Sequence, residues 1–185
     1  MRKLVWSEEL QKIAQMWADQ CTPGHDKNRN TLAGGQVGQN VLAFKGLEPW
    51  DVTVSTMTEV VKYWYNEVNE VTPGNLAQDE SKFQFSDQTG HFTQLAWAKT
   101  DLLGCGWTQY VDPDEAHPFI SLLVCNYYTT GTELVFHYAG TNTIFCLGNV
   151  EGETMWLAGE AGQTCANCPD EWSECDDGLC VKPLS

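Results

Sequence analysis

At 185 residues and a formal net charge of −15, the chain is long enough for one well-buried domain with a small appendage, and too acidic to favour nucleic acid or an anionic membrane surface. An apolar fraction of 42% with eight tryptophans argues against a disordered chain, and no apolar run nears the roughly 20 residues that span a bilayer. Eight cysteines, five of them after residue 140, read as an extracellular disulfide framework. Yet the amino terminus, Met-Arg-Lys-Leu-Val-Trp-Ser, has no signal-peptide pattern. Either the chain is a fragment of a secreted precursor or the cysteines bind metal in a reducing compartment; the fragment is the preferred reading.

Residues 7–20 carry the first helical pattern. Ser7 is a credible N-cap, Glu8 and Glu9 occupy the first turn, and Leu10, Ile13, Ala14 and Trp17 form one face. Cys21 follows, and Pro23-Gly24 ends the element before His25-Asp26, where the histidine reads as a surface residue or as a ligand held in a loop. Residues 27–40 are polar and glycine-rich. They lead through Gln36-Val37-Gly38-Gln39-Asn40-Val41 into a short element that places an amide pair near a cleft. Residues 51–70 carry a second helix with Val54, Met57, Val61, Trp64 and Val68 on its apolar side. Glu67 lies near the edge of that side, either solvated or turned into a pocket. Pro73-Gly74 stops the helix, and the polar loop 75–89 holds Phe83 and Phe85.

The segment Gly90-His91-Phe92-Thr93-Gln94-Leu95-Ala96-Trp97 predicts a short helix starting at Thr89-Gly90, with Phe92, Leu95 and Ala96 as its buried stripe. His91 falls in the first turn, where the helix dipole disfavours the imidazolium. A neutral ring there is a metal ligand, a base, or a satisfied core histidine. From Gly104 the period changes to two. Gly106–Val111 and Phe119–Asn126 flank the turn-rich segment Asp112–Pro118 as a predicted hairpin centred near Glu115. Direct cross-strand partners lie equally far either side of that centre, which pairs Trp107 with Leu123 and joins Cys105 to Cys125 as a disulfide.

Residues 127–164 are less legible: Thr132–Gly140 and Gly152–Gly159 share a loose mix of acidic, apolar and glycine residues but form no repeat. The last unit, Cys165-x2-Cys168-x6-Cys175-x4-Cys180, fits a knot of two disulfides or a four-cysteine zinc knuckle. The remaining cysteines favour the oxidised form, and four cysteines allow three connectivities.

Several of these motifs, in this order, resemble the CAP superfamily of cysteine-rich secretory proteins, insect venom antigen-five allergens and plant pathogenesis-related proteins. The carriers are Gly90–Trp97 with Gly104-Cys105-Gly106, Val124-Cys125-Asn126-Tyr127, Trp17–Asp26, Val37–Val41 and Trp64-Tyr65-Asn66-Glu67. The likeness is closest to the antigen-five-like branch, with a tail similar to the secretory branch's hinge. It implies an α+β fold, a three-layer α-β-α sandwich with a small disulfide-rich tail. Residues 1–150 would be the domain, without the family's first helix, 151–163 a linker and 164–185 the tail. A sandwich lacking that helix is expected to leave part of its apolar face in water. Residues 128–148 look like an insertion.

The resemblance also implies a cleft of His25, Gln39, Glu67 and His91. Gln39 stands where a second acid is common, and an amide cannot act as a general base, so catalysis is not expected. His25 and His91 would hold a weak divalent metal, zinc before calcium or magnesium, because imidazole suits the former. The implied tail pairing is Cys165–Cys175 and Cys168–Cys180; Cys21 and Cys146 are left over and either pair with each other or, as the antigen-five branch implies, Cys21 bonds to the family's amino-terminal region. The implied function is a secreted, non-enzymatic protein that binds an extracellular protein partner or a small apolar ligand such as a sterol or fatty acid. Phe83 and Phe85 are candidates for the lipid-contacting loop, or plain hydrophobic anchors. The alternative is a histidine- or metal-dependent extracellular peptidase, although no H-E-x-x-H or G-x-S-x-G motif is present. A cytosolic zinc protein would rest on the tail alone.

Overall fold

Residues 1–31, 33–35, 37–71, 85–128, 165, 168–177 and 179–183 are described in the computed structural model. In chain order the elements are β1 (Val5–Trp6), α1 (Glu8–Ala18), β2 (Gly38–Gly46), α2 (Val54–Asn66), α3 (Gly90–Leu95), β3 (Leu102–Val111), β4 (Phe119–Tyr128), β5 (Glu174–Asp176) and β6 (Leu179–Val181). Short 3-10 turns cover Glu67–Glu70 and Asp170–Trp172.

The main sheet runs in the order β1-β3-β4-β2, parallel between β1 and β3 and antiparallel elsewhere. β4 lies between β3 and β2 and is buried from Ile120 to Tyr127. Its period-two alternation sorts the core. Leu122 and Val124 point to Ala14 and Ala18 of α1, while Leu123, Cys125 and Tyr127 point to Val60 and Trp64 of α2. One helix therefore covers each face, which is the expected three-layer sandwich.

The hairpin has the register that its turn predicts. Cys105 faces Cys125, Trp107 faces Leu123, and the Cys105–Cys125 disulfide is formed. Both strands extend past the expected bounds, to Leu102 and to Tyr128.

α1 begins at the predicted cap, where the Ser7 hydroxyl accepts from the Leu10 amide. It lies so close to β3 that a Cβ on Gly106 would fall 2.4 Å from the Gln15 backbone nitrogen, and one on Gly104 would fall 2.2 Å from that of Gln11. Gln15 closes the seam, its Oε1 accepting from the Trp107 amide and its Nε2 donating to the Trp107 carbonyl.

α2 differs from expectation. It starts at Val54 behind a Thr53–Thr56 capping box, and its last predicted turn tightens into the 3-10 segment from Glu67. Its buried side is Val60 and Trp64, with Met57 packed beside them, whereas Val54 is 86% exposed and Val61 44% exposed. Two apolar stripes share this helix, and the sheet selects the one that carries Trp64 because that ring fills the space above Leu123 and Tyr127. The strand β1 and the pair β5–β6 have no counterpart in the sequence reading.

In the tail, Cys165–Cys175 and Cys168–Cys180 are disulfide-bonded as the resemblance implies, which removes the zinc-knuckle reading. Cys21 is exposed and makes no disulfide among the described residues. Cys146, Phe83, the segments compared as a repeat, the linker 151–163 and almost all of the suggested insertion lie outside the described residues.

Candidate functional site

α3 is only six residues long, so its own hydrogen bonds cannot sustain it and its neighbours must. The Thr89 side chain does not cap it. The carboxylate of Glu67 does: Oε2 accepts from the amides of His91 at 2.9 Å and Phe92 at 3.0 Å. Oε1 accepts from Nδ1 of His91 at 2.6 Å. A carboxylate only accepts, so Nδ1 of His91 is the donor of this bond. The imidazole also stacks on Trp64, with ring centres 5.8 Å apart and planes 12° from parallel. Of the expected stripe only Phe92 is fully buried, Leu95 and Ala96 being partly covered, while Gly90, Thr93 and Gln94 are buried as well.

The second half of the site is built from β2. Gln39 Nε2 donates to Asn126 Oδ1 at 2.9 Å, and Gln39 Oε1 accepts from the Asp26 amide at 3.0 Å. The same Oε1 lies 3.1 Å from Nδ1 of His25, which must therefore be a donor. Both histidines thus have Nδ1 engaged, and among the described residues neither Nε2 has a hydrogen-bond partner. Asn40, the other half of the expected amide pair, ties β2 to α3 by donating to the His91 carbonyl at 3.1 Å, with the Tyr127 hydroxyl 3.4 Å away. Burial pushes that hydroxyl's pKa well above the usual tyrosine range.

His25 stays in contact with solvent, but the cover over its ring holds its pKa below the usual histidine value. The charges of Arg29 and His91 push the same way, and the bond to Gln39 opposes them in part. Folding therefore weakens proton binding at His25. The associated stability is complete above the unfolded value near 6.5 and is lost as pH falls through the lower folded value. A proton NMR titration is expected to place the His25 midpoint below that of an unstructured histidine peptide. An equal or higher midpoint would contradict this.

The structure thus joins His25 to Gln39 and His91 to Glu67, and brings the two imidazoles near enough for one charge to act on the other. Glu67 meets α3 through its carboxylate. Both of its oxygens are committed to α3, a role invisible in the sequence because it joins residues 24 positions apart. Asn126, which orients Gln39, was legible only as part of a motif. Among the described residues no three His, Cys, Asp or Glu side chains group as metal ligands. Phe85 lies over the start of α3, half exposed, its ring 2.9 Å from where a Cβ on Gly90 would stand.

A second concavity runs along the outer side of α2. It is an open groove of about 800 Å³ walled by Val52, Val54, Met57, Val61, Tyr65 and Leu95, with Lys62 at its margin. The stripe of α2 that the sheet leaves uncovered is its wall.

Residues 1–127 match the CAP family, described as the cysteine-rich secretory protein family. Venom allergen 5.02 of Dolichovespula maculata is 40% identical over 131 residues, covering 71% of this chain and 56% of the relative. Venom allergen 3 of Solenopsis invicta is 38% identical over 134 residues, covering 72% and 55%. The chain therefore spans little more than half the length of these relatives. Among solved structures, BmVAL-1 superimposes with a TM-score of 0.63 at 29% identity, covering 98% of this chain and 77% of that one. Na-ASP-1 gives 0.65 at 22% identity, covering 98% and 38%, a likeness of fold alone. With the sandwich and the sequence match in agreement, the chain belongs to the CAP, or cysteine-rich secretory protein, family and is venom-allergen-like.

Proposed function

We propose that the protein is a secreted, non-enzymatic binding module that takes a small apolar ligand, of the sterol or fatty-acid class, in the groove along α2. The groove carries this reading: its walls are mostly apolar, with Val54, Val61 and Tyr65 of α2 exposed along it. A fluorescent fatty acid is the probe. Val61→Glu, which puts a charge on the wall without touching the core, is expected to weaken binding about tenfold. Equal affinity in both forms would remove the groove from the function.

The cleft supports a weak divalent-cation site held by Nε2 of His25 and of His91. Each imidazole is oriented by a bond at its other nitrogen, the usual arrangement for a histidine ligand. Two protein ligands are one short of the three usual at catalytic zinc, so water would fill the other positions and the fold would not depend on the metal. Calorimetry with zinc at neutral pH is expected to show binding that His91→Ala abolishes and that weakens in acid as protons compete for the rings. Identical titrations of the two proteins would dismiss the site. Peptidase activity is not expected. Gln39 cannot take a proton, and Glu67 already accepts three N–H bonds. Casein hydrolysis that disappeared in His91→Ala would reverse this.

A further inference from the structure

The tail meets the sandwich through residues 1–3. The Cys180 amide donates to the Met1 carbonyl at 2.8 Å, and the Cys180 carbonyl accepts from the Lys3 amide at 2.9 Å. Lys3 Nζ pairs with the Asp176 carboxylate. Trp172, buried to 3% exposure, lies 5.2 Å from the Arg2 guanidinium and 5.2 Å from the Lys182 ammonium. On its other side Arg2 is anchored in the body. Its amide donates to the Ala98 carbonyl, and its Nη1 reaches the Lys99 carbonyl at 3.0 Å and the fully buried Asp101 carboxylate at 3.4 Å. Met1–Lys3 are thus held between the tail and the loop leading into β3.

The two partners in this joint differ in what keeps them folded. β5 and β6 are three residues each, and of the tail's described residues only Trp172 and Cys180 are buried. A pair of strands that short does not persist in water without cross-links. The Cys105–Cys125 bridge instead links strands already paired over ten positions, and Cys125 is 3% exposed. Cys175, by contrast, is exposed. Access singles out Cys175 and with it the Cys165–Cys175 bridge, whereas Cys180 is as covered as Cys125, so for Cys168–Cys180 it is structural dependence that sets the tail apart.

We propose that the tail is a redox-released clasp, which a dithiol reductant undocks from Met1–Lys3 while the sandwich and cleft remain folded. A thiolate of the reductant attacks one sulfur of a tail disulfide, the S–S bond breaks, and a mixed disulfide forms. The reductant's second thiol then closes on its own sulfur. The reductant leaves as a disulfide and the protein gains two thiols. With Cys165–Cys175 and Cys168–Cys180 open, the hairpin loses its cross-links, the Cys180 backbone bonds to Met1 and Lys3 lapse, and Trp172 leaves its place beside Arg2. The chain then presents a tryptophan and an unpaired backbone edge that the oxidised form hides. β1 stays in place because Val5 donates to the Asp101 carbonyl and Ser7 to that of Leu103, neither bond involving the tail.

The test is a stepwise dithiothreitol titration of the intact chain, with alkylation mapped by mass spectrometry and amide exchange followed at each step. The expected result is alkylation of Cys165, Cys168, Cys175 and Cys180 before Cys105 and Cys125. Exchange at Lys3 and Cys180 should rise about tenfold or more while Leu123 and Val124 keep their protection. Opening of Cys105–Cys125 first, unchanged exchange at Lys3 and Cys180 with the tail reduced, or simultaneous loss of protection in β4 would each overturn the clasp. Arg2→Ala keeps every sulfur and is expected to lower the reductant concentration needed for release; an unchanged concentration would also overturn it.

Discussion

Replacing Gly106 with alanine is expected to cost the protein about 3 kcal/mol of stability or more, the upper end of what overpacking does to a core. The added carbon would stand 2.4 Å from both N and Cα of Gln15 and 2.6 Å from the Ala14 carbonyl carbon, all of them backbone atoms of α1. Backbone cannot rotate aside as a flexible side chain can, so the helix must lift from β3. That movement would also stretch the paired bonds between Gln15 and Trp107 and open the contact of Ala14 and Ala18 with Leu122 and Val124. Gly46→Ala is the control. There the nearest atom is the Glu48 carbonyl oxygen at 3.1 Å, in an exposed bend, and the cost should be well under 1 kcal/mol or so. Urea denaturation of the two variants beside the parent decides the matter. Equal midpoints for Gly106→Ala and Gly46→Ala would show that α1 does not need its close seat on the sheet.

Glu67→Ala is expected to cost about 2–4 kcal/mol and to loosen the cleft at the same time. The substitution leaves three N–H groups without their acceptor: two amides of the first turn of α3 and Nδ1 of His91. Glu67 is 17% exposed in its side chain and His91 32%, so water can replace only part of what is lost. Without the carboxylate the imidazole is free to turn, and zinc affinity at the proposed site should fall about 10–100-fold, as when a partner behind a metal ligand is removed. Glu67→Gln sharpens the test. It restores one acceptor but sets an NH2 group against donors, so it should recover part of the stability and less of the cation binding. Parental stability in both variants, by thermal denaturation, would mean that the carboxylate neither caps α3 nor positions His91.

These two effects also mark where the sequence could be read and where it could not. Ser7 and the face of Leu10 and Ala14 were legible because a cap and a helical stripe are decided within a few residues. The Cys105–Cys125 bridge was legible because a hairpin with a short turn leaves its strands one in-line register. His25, Gln39, Glu67 and His91 were named only through resemblance to a family, and which of them pair was not readable from residue types or spacing. β1 escaped notice because two residues carry no periodicity, and it exists only because β3 offers it an edge.

What the sequence determined by itself was local: where helices start, where the period turns from 3.6 to two, and which cysteines a hairpin brings together. Which stripe of α2 is buried was a tertiary decision. Met57, Val60 and Trp64 compete with Val54, Met57 and Val61 on apolar character alone, and only the shape of the β4 surface separates them. The role of Glu67 was decided in the same way, since a carboxylate on a helix edge has no fixed meaning until a second helix places three donors before it. Hydrophobic pattern and capping act over one turn or one strand, whereas the direction of a side chain's partner depends on elements far away in the chain, and no short-range rule contains that information.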